Sequence, residues 1–330
     1  MNRRSPAIKL RFASFQPRLN MAAEHARPQY SEAQLSKYFE RLKIPESKRQ
    51  YDVTRLGPGD ALAYLALLQK HHLAEIPFEN LTLHYSTHRQ VAIHPEELFR
   101  KIIGDNNGRG GYCMENNCLF GTFLYSLGFT IYSGGARVFD FGRWTGWGHM
   151  VNFVTIGDTK YHVDVGFGAE GPVVPMPLDR AGTIQSHISP ATCRLQWRNI
   201  PGNNDPNQRL WVYEHRWNDD AEWNVRYSYS ELEFMPADYN VMSSYTSTSH
   251  KTFFTRTILV DKKVLDDAGN LAGSLLLFGN IFKRRIHGEK EEEIELKTEL
   301  ERLEALEQHF GIKFGAAERE GIWGLASQLK

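Results

Sequence analysis

The sequence predicts an α+β protein laid out in three successive parts, and three observations carry that expectation. Apolar residues recur at helical spacing through residues 31–128. From about residue 129, runs of branched and aromatic residues alternate with turn residues, as strands do. The last third mixes both patterns. At 330 residues, 41% hydrophobic and 24% charged, the chain is long enough for two or three domains and buries enough surface to fold without disulfides. The composition excludes a disordered, collagen-like or coiled-coil protein. No apolar run reaches about 18 residues, so no membrane span is expected. The 39 basic and 39 acidic residues cancel, which removes any global pull toward nucleic acid. Three cysteines, an odd number with no visible signal peptide, point to a reducing compartment and a cytoplasmic location.

The elements follow in order. Residues 1–20 carry Arg3, Arg4, Lys9, Arg11 and Arg18 and no acid, leaving 34 basic against 39 acidic groups in the remainder. This start is read as a disordered basic extension, or one upstream of a start at Met21. The alternative is a mitochondrial transit peptide, but Pro6 and Pro17 interrupt any helix there. Gly57-Pro58-Gly59 marks a loop with Asp60 as N-cap, followed by the stripe Leu62, Leu65 and Leu68. Pro95 opens a short helix that ends at residues 104–108. A third helix begins near Cys113, buries Phe120, Phe123, Leu124 and Leu127, and closes on Gly128. Strands are expected over 131–139, 149–156, 160–166, 194–197, 209–213, 223–230, 253–260 and 275–282. Residues 289–308 hold nine glutamates against three basic residues. With Leu296, Leu300, Leu303 and Phe310 they read as one solvated amphipathic helix.

Cys113 is the residue that invites chemistry. It opens a helix behind Arg109-Gly110-Gly111-Tyr112, where free backbone N–H groups and the positive helix end favour a thiolate. The same N–H groups suit an oxyanion. Cys118 and Cys193 have no such setting and read as core residues. A thiolate needs a base, and the base needs an orienting group. A two-residue turn at Gly157-Asp158 pairs Ile156 with Thr159 and sets Val151 opposite Asp164, with His149 on the same face. A three-residue turn would put His149 and Asp164 on opposite faces. From the residues alone, a Cys-His-Asp transferase and a hydrolase or transamidase remain level. A binding protein with an unreactive Cys113 is the third reading. Residues 166–171 spell G-x-G-x-x-G, but Pro172, Pro175 and Pro177 forbid the helix that a dinucleotide site needs. His84 and His88 lack partners for a zinc site. Lys283-Arg284-Arg285 reads as a solvated strand end rather than a phosphate site, and Asn80-Leu81-Thr82 as a glycosylation match without consequence.

The segment Arg109-Gly110-Gly111-Tyr112-Cys113-Met114-Glu115-Asn116-Asn117 resembles the signature of the arylamine N-acetyltransferases. Ile76–Leu81, Thr145–His149, Val163–Gly168 and Met242–Phe254 resemble further segments of that family, in order and spacing, so that the match spans about residues 25–260. The resemblance implies a papain-like cysteine-enzyme fold, with a helical bundle over 21–128, a β-barrel over 129–235 and an α/β lid over 236–330. It implies ping-pong transfer of an acetyl, malonyl or propionyl group from acyl-CoA to arylamines, arylhydrazines or arylhydroxylamines, in xenobiotic detoxification. By motif position Cys113 accepts the acyl group, His149 is the base and Asp164 its orienter. Phe78, Phe167 and Gly168 would line the acceptor pocket, and Thr145, Gly146 and Tyr245 would meet coenzyme A. Arg109, Glu79 and Asn117 would support the site. Acyl-CoA is then a co-substrate, with no tightly bound cofactor, no metal and no nucleic-acid or membrane partner. The chain would be a monomer or a weak homo-oligomer. A transglutaminase-like or papain-like hydrolase is the alternative. The sequence departs from the family at His250, where relatives often have proline, and at Lys251 and Phe253. Some fungal relatives use malonyl-CoA, and Lys251 is the candidate to hold a second carboxylate.

Overall fold

The computed structural model describes residues 27–330. The basic extension at 1–20 and the alternative start at Met21 lie outside the described residues. Helix α1 (Glu32–Arg41) opens on a reciprocal cap in which Ser31 and Gln34 exchange side-chain and backbone bonds. Helix α2 (Pro58–Glu75) starts earlier than the sequence suggests. Gly57 rather than Asp60 is its N-cap, because Pro58 at the first helical position presets φ and leaves Asp60 in the first turn against the positive helix end. Helix α3 (Pro95–Phe99) widens into a π turn over Arg100–Gly104. Helix α4 (Cys113–Ser126) ends at Leu127, with Gly128 at φ +94° just beyond. Leu35, Phe39, Leu65, Leu68, Phe120 and Phe123 meet Val154 and Val163 of the following sheet in one core. Each such side chain contributes about 1.5–3 kcal/mol by leaving water.

One sheet carries the middle of the chain. Its strands are β2 (Thr130–Asp140), β3 (Arg143–Ile156), β4 (Thr159–Val163), β5 (Met176–Pro177), β6 (Gln185–Ser186), β7 (Thr192–Arg198), β8 (Leu210–Arg216) and β9 (Asn224–Tyr229), counted after the two-residue β1 (Phe78–Glu79). They lie in the order β5-β4-β3-β2-β9-β8-β7-β6, as a nearly closed barrel. The β3–β4 hairpin turns through Gly157-Asp158 and pairs Ile156 with Thr159, in a register that runs to Asn152 opposite Val163. Residues 166–171 form irregular loop and not the start of a helix.

The last third departs most from the sequence expectation. Helix α5 (Pro236–Thr248) is rich in serine and threonine, poor helix formers, and was not expected as a helix. Thr246, Ser247 and Thr248 satisfy their hydroxyls on the carbonyls four residues back. The strand expected over 253–260 is a 3₁₀ turn at Phe253–Thr255 followed by β10 (Leu259–Leu265). The strand expected over 275–282 is the tight hairpin between β11 (Leu271–Phe278) and β12 (Ile281–Ile286), turned at Gly279 with φ +62°. The acidic run is not one helix. Residues Glu289–Glu295 form strand β13, and only Glu299–Phe310 form helix α6, followed by the short α7 (Ala316–Glu320). Cross-strand charge decides this: Glu293 faces Lys283 at 3.5 Å and Glu291 takes a bond from Arg284 at 2.9 Å. These contacts also place Lys283 and Arg284 of the basic run as paired surface charges on a strand, while Arg285 bonds the Gly288 carbonyl. The expected stripe holds in part: Leu296 and Phe310 are buried and Leu303 packs against the same core. Leu300 is exposed, while Arg302, Ala305, Leu306 and Phe310 are buried. Strand β1 joins β10 to β13 in the order β1-β10-β11-β12-β13, so the helical part of the chain is tied directly to the C-terminal sheet.

Candidate active site

The first turn of α4 sits where the loop 109–112 meets β1. Gly110 approaches Pro77 so closely that a Cβ there would lie 1.9 Å from the Pro77 carbonyl oxygen. The Glu79 N–H donates to the Gly111 carbonyl at 3.0 Å. Glu115 completes the helix start by accepting the Tyr112 N–H at 3.0 Å. Cys113 is therefore the first residue of a helix whose entry is fixed from both sides, and it is buried. Its Sγ lies 3.6 Å from the Gly148 carbonyl oxygen.

His149 reaches the same spot from β3. Its Nε2 bonds Asp164 Oδ2 at 2.7 Å, with both side chains buried. With Nε2 on Asp164, Nδ1 is the ring nitrogen left for another partner. The ring packs between Phe167 and Tyr227, at 5.2 and 5.0 Å. Asp164 is fully occupied, because Oδ1 accepts from Asn117 Nδ2 and from the Gly166 N–H, both at 2.8 Å. Burial by itself would drive His149 toward its neutral form. The Asp164 charge and hydrogen bond, with the Cys113 side chain, reverse this and raise its pKa to about 10. Burial likewise opposes the Asp164 charge, but His149 together with Asn117 holds it down at about 2. The raised histidine therefore stabilises the fold in full below its ordinary pKa of about 6.5 and loses that contribution as the pH climbs toward 10. The depressed aspartate contributes in full above about 4 and loses it as the pH falls toward 2.

Asn117 and Asn152 join helix to sheet. Asn117 Nδ2 also donates to the Met150 carbonyl at 2.7 Å, and its Oδ1 accepts the Val165 N–H at 3.0 Å. Asn152 donates to the Asn117 carbonyl at 3.0 Å and accepts from Ser133 at 2.7 Å. Asn152 was not singled out in the sequence, where the available signal is an asparagine in an otherwise apolar strand. Lys101 was missed as well. It bonds Glu115 at 2.7 Å and lies 3.8 Å from Glu79. Arg109 donates to Glu79 at 2.9 Å and to Thr82 at 3.0 Å. Burial opposes the Glu79 charge, but Arg109 and Lys101 together hold its carboxyl below the usual range. Burial raises Glu115, against the pull of Lys101.

The remaining sites fall into two groups. Phe78 closes on Gly168, whose Cβ position would lie 3.4 Å from the Phe78 ring, and Phe167 lies against His149. Phe78 packs in the same cluster as Cys113. Thr145, Gly146 and Tyr245 stand at the surface, where Thr145 Oγ1 accepts the Val138 N–H and donates to the Gly146 carbonyl. His250 and Lys251 are exposed beyond α5. Asn80 is buried, with Nδ2 bound to the Phe254 and Thr257 carbonyls, which leaves no room for a glycan. Cys118 and Cys193 pack in apolar cores. Among the described residues there is no group of three or more His, Cys, Asp or Glu that could hold a metal, and no helix long and apolar enough to cross a membrane.

Comparison with known proteins gives the family and the fold. A family model described as N-acetyltransferase matches residues 61–319. The N-malonyltransferase FDB2 of Fusarium pseudograminearum is 36% identical over 321 residues, covering 89% of this chain and 93% of that protein. The solved arylamine N-acetyltransferase of Mycobacterium abscessus shares the fold with a TM-score of 0.72 at 24% identity, covering 90% of this chain and 98% of that one. The Mycobacterium marinum arylamine N-acetyltransferase in complex with CoA has a TM-score of 0.70 at 25% identity, covering 87% and 98%.

Proposed function

This chain belongs to the arylamine N-acetyltransferase family, a group of acyltransferases on a papain-like fold, and on that premise we propose that it carries acyl groups from coenzyme A to arylamines through a thioester on Cys113. The observation that supports this reading best is the buried series from Asp164 through His149 to the first residue of α4. His149 takes the Cys113 proton through Nδ1, and the thiolate adds to the acyl carbonyl carbon. The oxyanion rests on N–H groups at the start of α4. The carbonyl re-forms, the C–S bond to coenzyme A breaks, and His149 returns the proton to the departing thiolate. An arylamine then attacks the Cys113 thioester, loses its proton to His149, and expels the Cys113 thiolate as the amide forms. A neutral arylamine is already nucleophilic near pH 7, so His149 manages protons rather than creating the nucleophile. On this reading residues 21–128 bring the nucleophile, 129–235 the base and its orienter, and 236–330 the lid that keeps water from the thioester.

For the acyl group, the 36% identity to an N-malonyltransferase over most of both chains favours malonyl over acetyl. Lys251 is the cation assigned to the second carboxylate. Initial rates with both substrates varied test the proposal. Parallel double-reciprocal lines are expected, as a ping-pong enzyme gives, with a higher kcat/KM for malonyl-CoA than for acetyl-CoA and a lower ratio in Lys251→Ala. Intersecting lines would remove the covalent step. An unchanged donor ratio in Lys251→Ala would remove the role of Lys251.

A further inference from the structure

The loop that follows Asp164 runs directly over the candidate site. A Cβ at Gly166 would lie 2.7 Å from the Cys113 Cα, and one at Gly168 would lie 3.4 Å from the Phe78 ring. Phe167, between them, stands edge-on to His149 at 5.2 Å. Gly168 has φ +88°, and its carbonyl closes a turn by accepting the Gly171 N–H at 3.2 Å. Side chains then hold this turn one carbonyl after another. Lys263 Nζ, on β10, donates to the Gly168 and Ala169 carbonyls at 3.1 and 3.0 Å. Tyr213 donates to the Glu170 carbonyl at 2.9 Å, His187 to Gly171 at 2.9 Å and Gln69 to Pro172 at 3.2 Å. Tyr213 and His187 belong to the barrel and Gln69 to α2. Among the described residues, Lys263 is the only side chain of the C-terminal sheet that hydrogen-bonds this loop.

Lys263 is 2% exposed. Its third proton goes to Asp261 Oδ1 at 2.6 Å, so all three are committed. A buried ion pair is seldom worth more to the fold than two apolar side chains of the same size. Apolar side chains here would fill the space but leave the 168 and 169 carbonyls without their donor. The two ends of the loop also depend on different partners. The Gly166 N–H bonds Asp164 Oδ1 at 2.8 Å and the Val165 N–H bonds Asn117 at 3.0 Å, neither of them on the C-terminal sheet. Gly168 and Ala169, at the Phe78 end, are the residues that Lys263 holds. We propose that Lys263 is a positioning residue for the acceptor: it ties the C-terminal sheet to the loop and keeps Gly168 in place against Phe78. The acceptor wall is then set by that sheet, while the nucleophile and the base are set without it. This rests on the acyl-transfer reading above and adds to it the residue that fixes the acceptor side of the site.

The test is the double variant Lys263→Met with Asp261→Leu, which strands no charge. Acyl-enzyme formation, read by mass after rapid mixing with malonyl-CoA or acetyl-CoA, is expected to keep a rate within about twofold of the wild type. The kcat/KM for an arylamine such as para-methoxyaniline is expected to fall about tenfold, mostly through a higher KM. In Asp261→Asn the amide oxygen still accepts from Lys263 and both carbonyls stay held. Its kcat/KM for the same amine is expected to stay within about threefold of the wild type. A double variant that loses acylation and acceptor turnover in the same proportion would show a merely structural residue and overturn the proposal. An acceptor kcat/KM within about twofold of the wild type would overturn it too, as would an Asp261→Asn loss equal to that of the double variant. Should the double variant not fold, Lys263→Gln with Asp261→Asn, whose shorter amide cannot span both carbonyls, carries the same comparison with the same outcomes. Failure of the wild type to form an acyl-enzyme would instead overturn the transferase reading itself.

Discussion

Replacing Asp164 with asparagine is expected to lower kcat/KM about a thousandfold or more while leaving the fold in place, as breaking the orienting contact of a triad does. The direction follows from the site. Asp164 Oδ1 is held by Asn117 Nδ2 and the Gly166 N–H, both donors, so in the variant the amide oxygen stays with them. The NH₂ group is then presented to His149 Nε2. That nitrogen becomes an acceptor, the imidazole proton moves to Nδ1, and the face toward Cys113 can no longer take the thiol proton. The charge that lifts His149 to about 10 is lost in the same change, and burial then acts unopposed. The His149 pKa, followed by NMR, should drop below the ordinary value of about 6.5. Activity within about tenfold of the wild type, or a histidine still protonated well above neutral pH, would show that Asp164 does not orient the base.

The second large effect is on stability. Arg109→Met leaves Glu79 buried without the guanidinium that neutralises it, with Lys101 only at 3.8 Å. Breaking a buried pair from one side costs about 3–5 kcal/mol, which for a chain of this size corresponds to a fall in Tm of roughly 10 °C. The double variant Arg109→Met with Glu79→Met should recover part of the loss, because two apolar groups strand no charge. Recovery stays incomplete, since Glu79 also accepts the Gly110 and Leu81 N–H groups. A single-variant Tm within about 2 °C of the wild type would show that the pair is incidental to the fold.

Much of the chemistry was legible because it rests on local rules. A cysteine opening a helix behind two glycines was readable locally, and of the two turn lengths the sequence left open, the two-residue one puts His149 and Asp164 on one face. The Gly157-Asp158 turn set that parity. The parts that escaped are those settled by distant partners. Residues 289–295 have the composition of a solvated helix, yet they are a strand because Lys283 and Arg284 lie across from them. Helix α5 forms from poor helix formers because Tyr239 and Met242 are buried on its packed face, with its hydroxyls satisfied on its own carbonyls. Lys101 gave no local signal, since its partners Glu79 and Glu115 meet it only once β1 and α4 pack together. Asp261 and Lys263 lie beyond the strand expected over 253–260 and are buried under the 168–169 turn.

The account stands most directly on whether Cys113 takes an acyl group. Intact-protein mass spectrometry after brief mixing with malonyl-CoA or acetyl-CoA, without amine and beside a Cys113→Ala control, reads this in one step. The expected result is a single acyl increment on the wild type, absent from Cys113→Ala and cleared by an added arylamine, with fuller labelling from malonyl-CoA. No increment from either donor, or an increment that persists in Cys113→Ala, would contradict a Cys113 thioester and turn attention to amide hydrolysis at the same site.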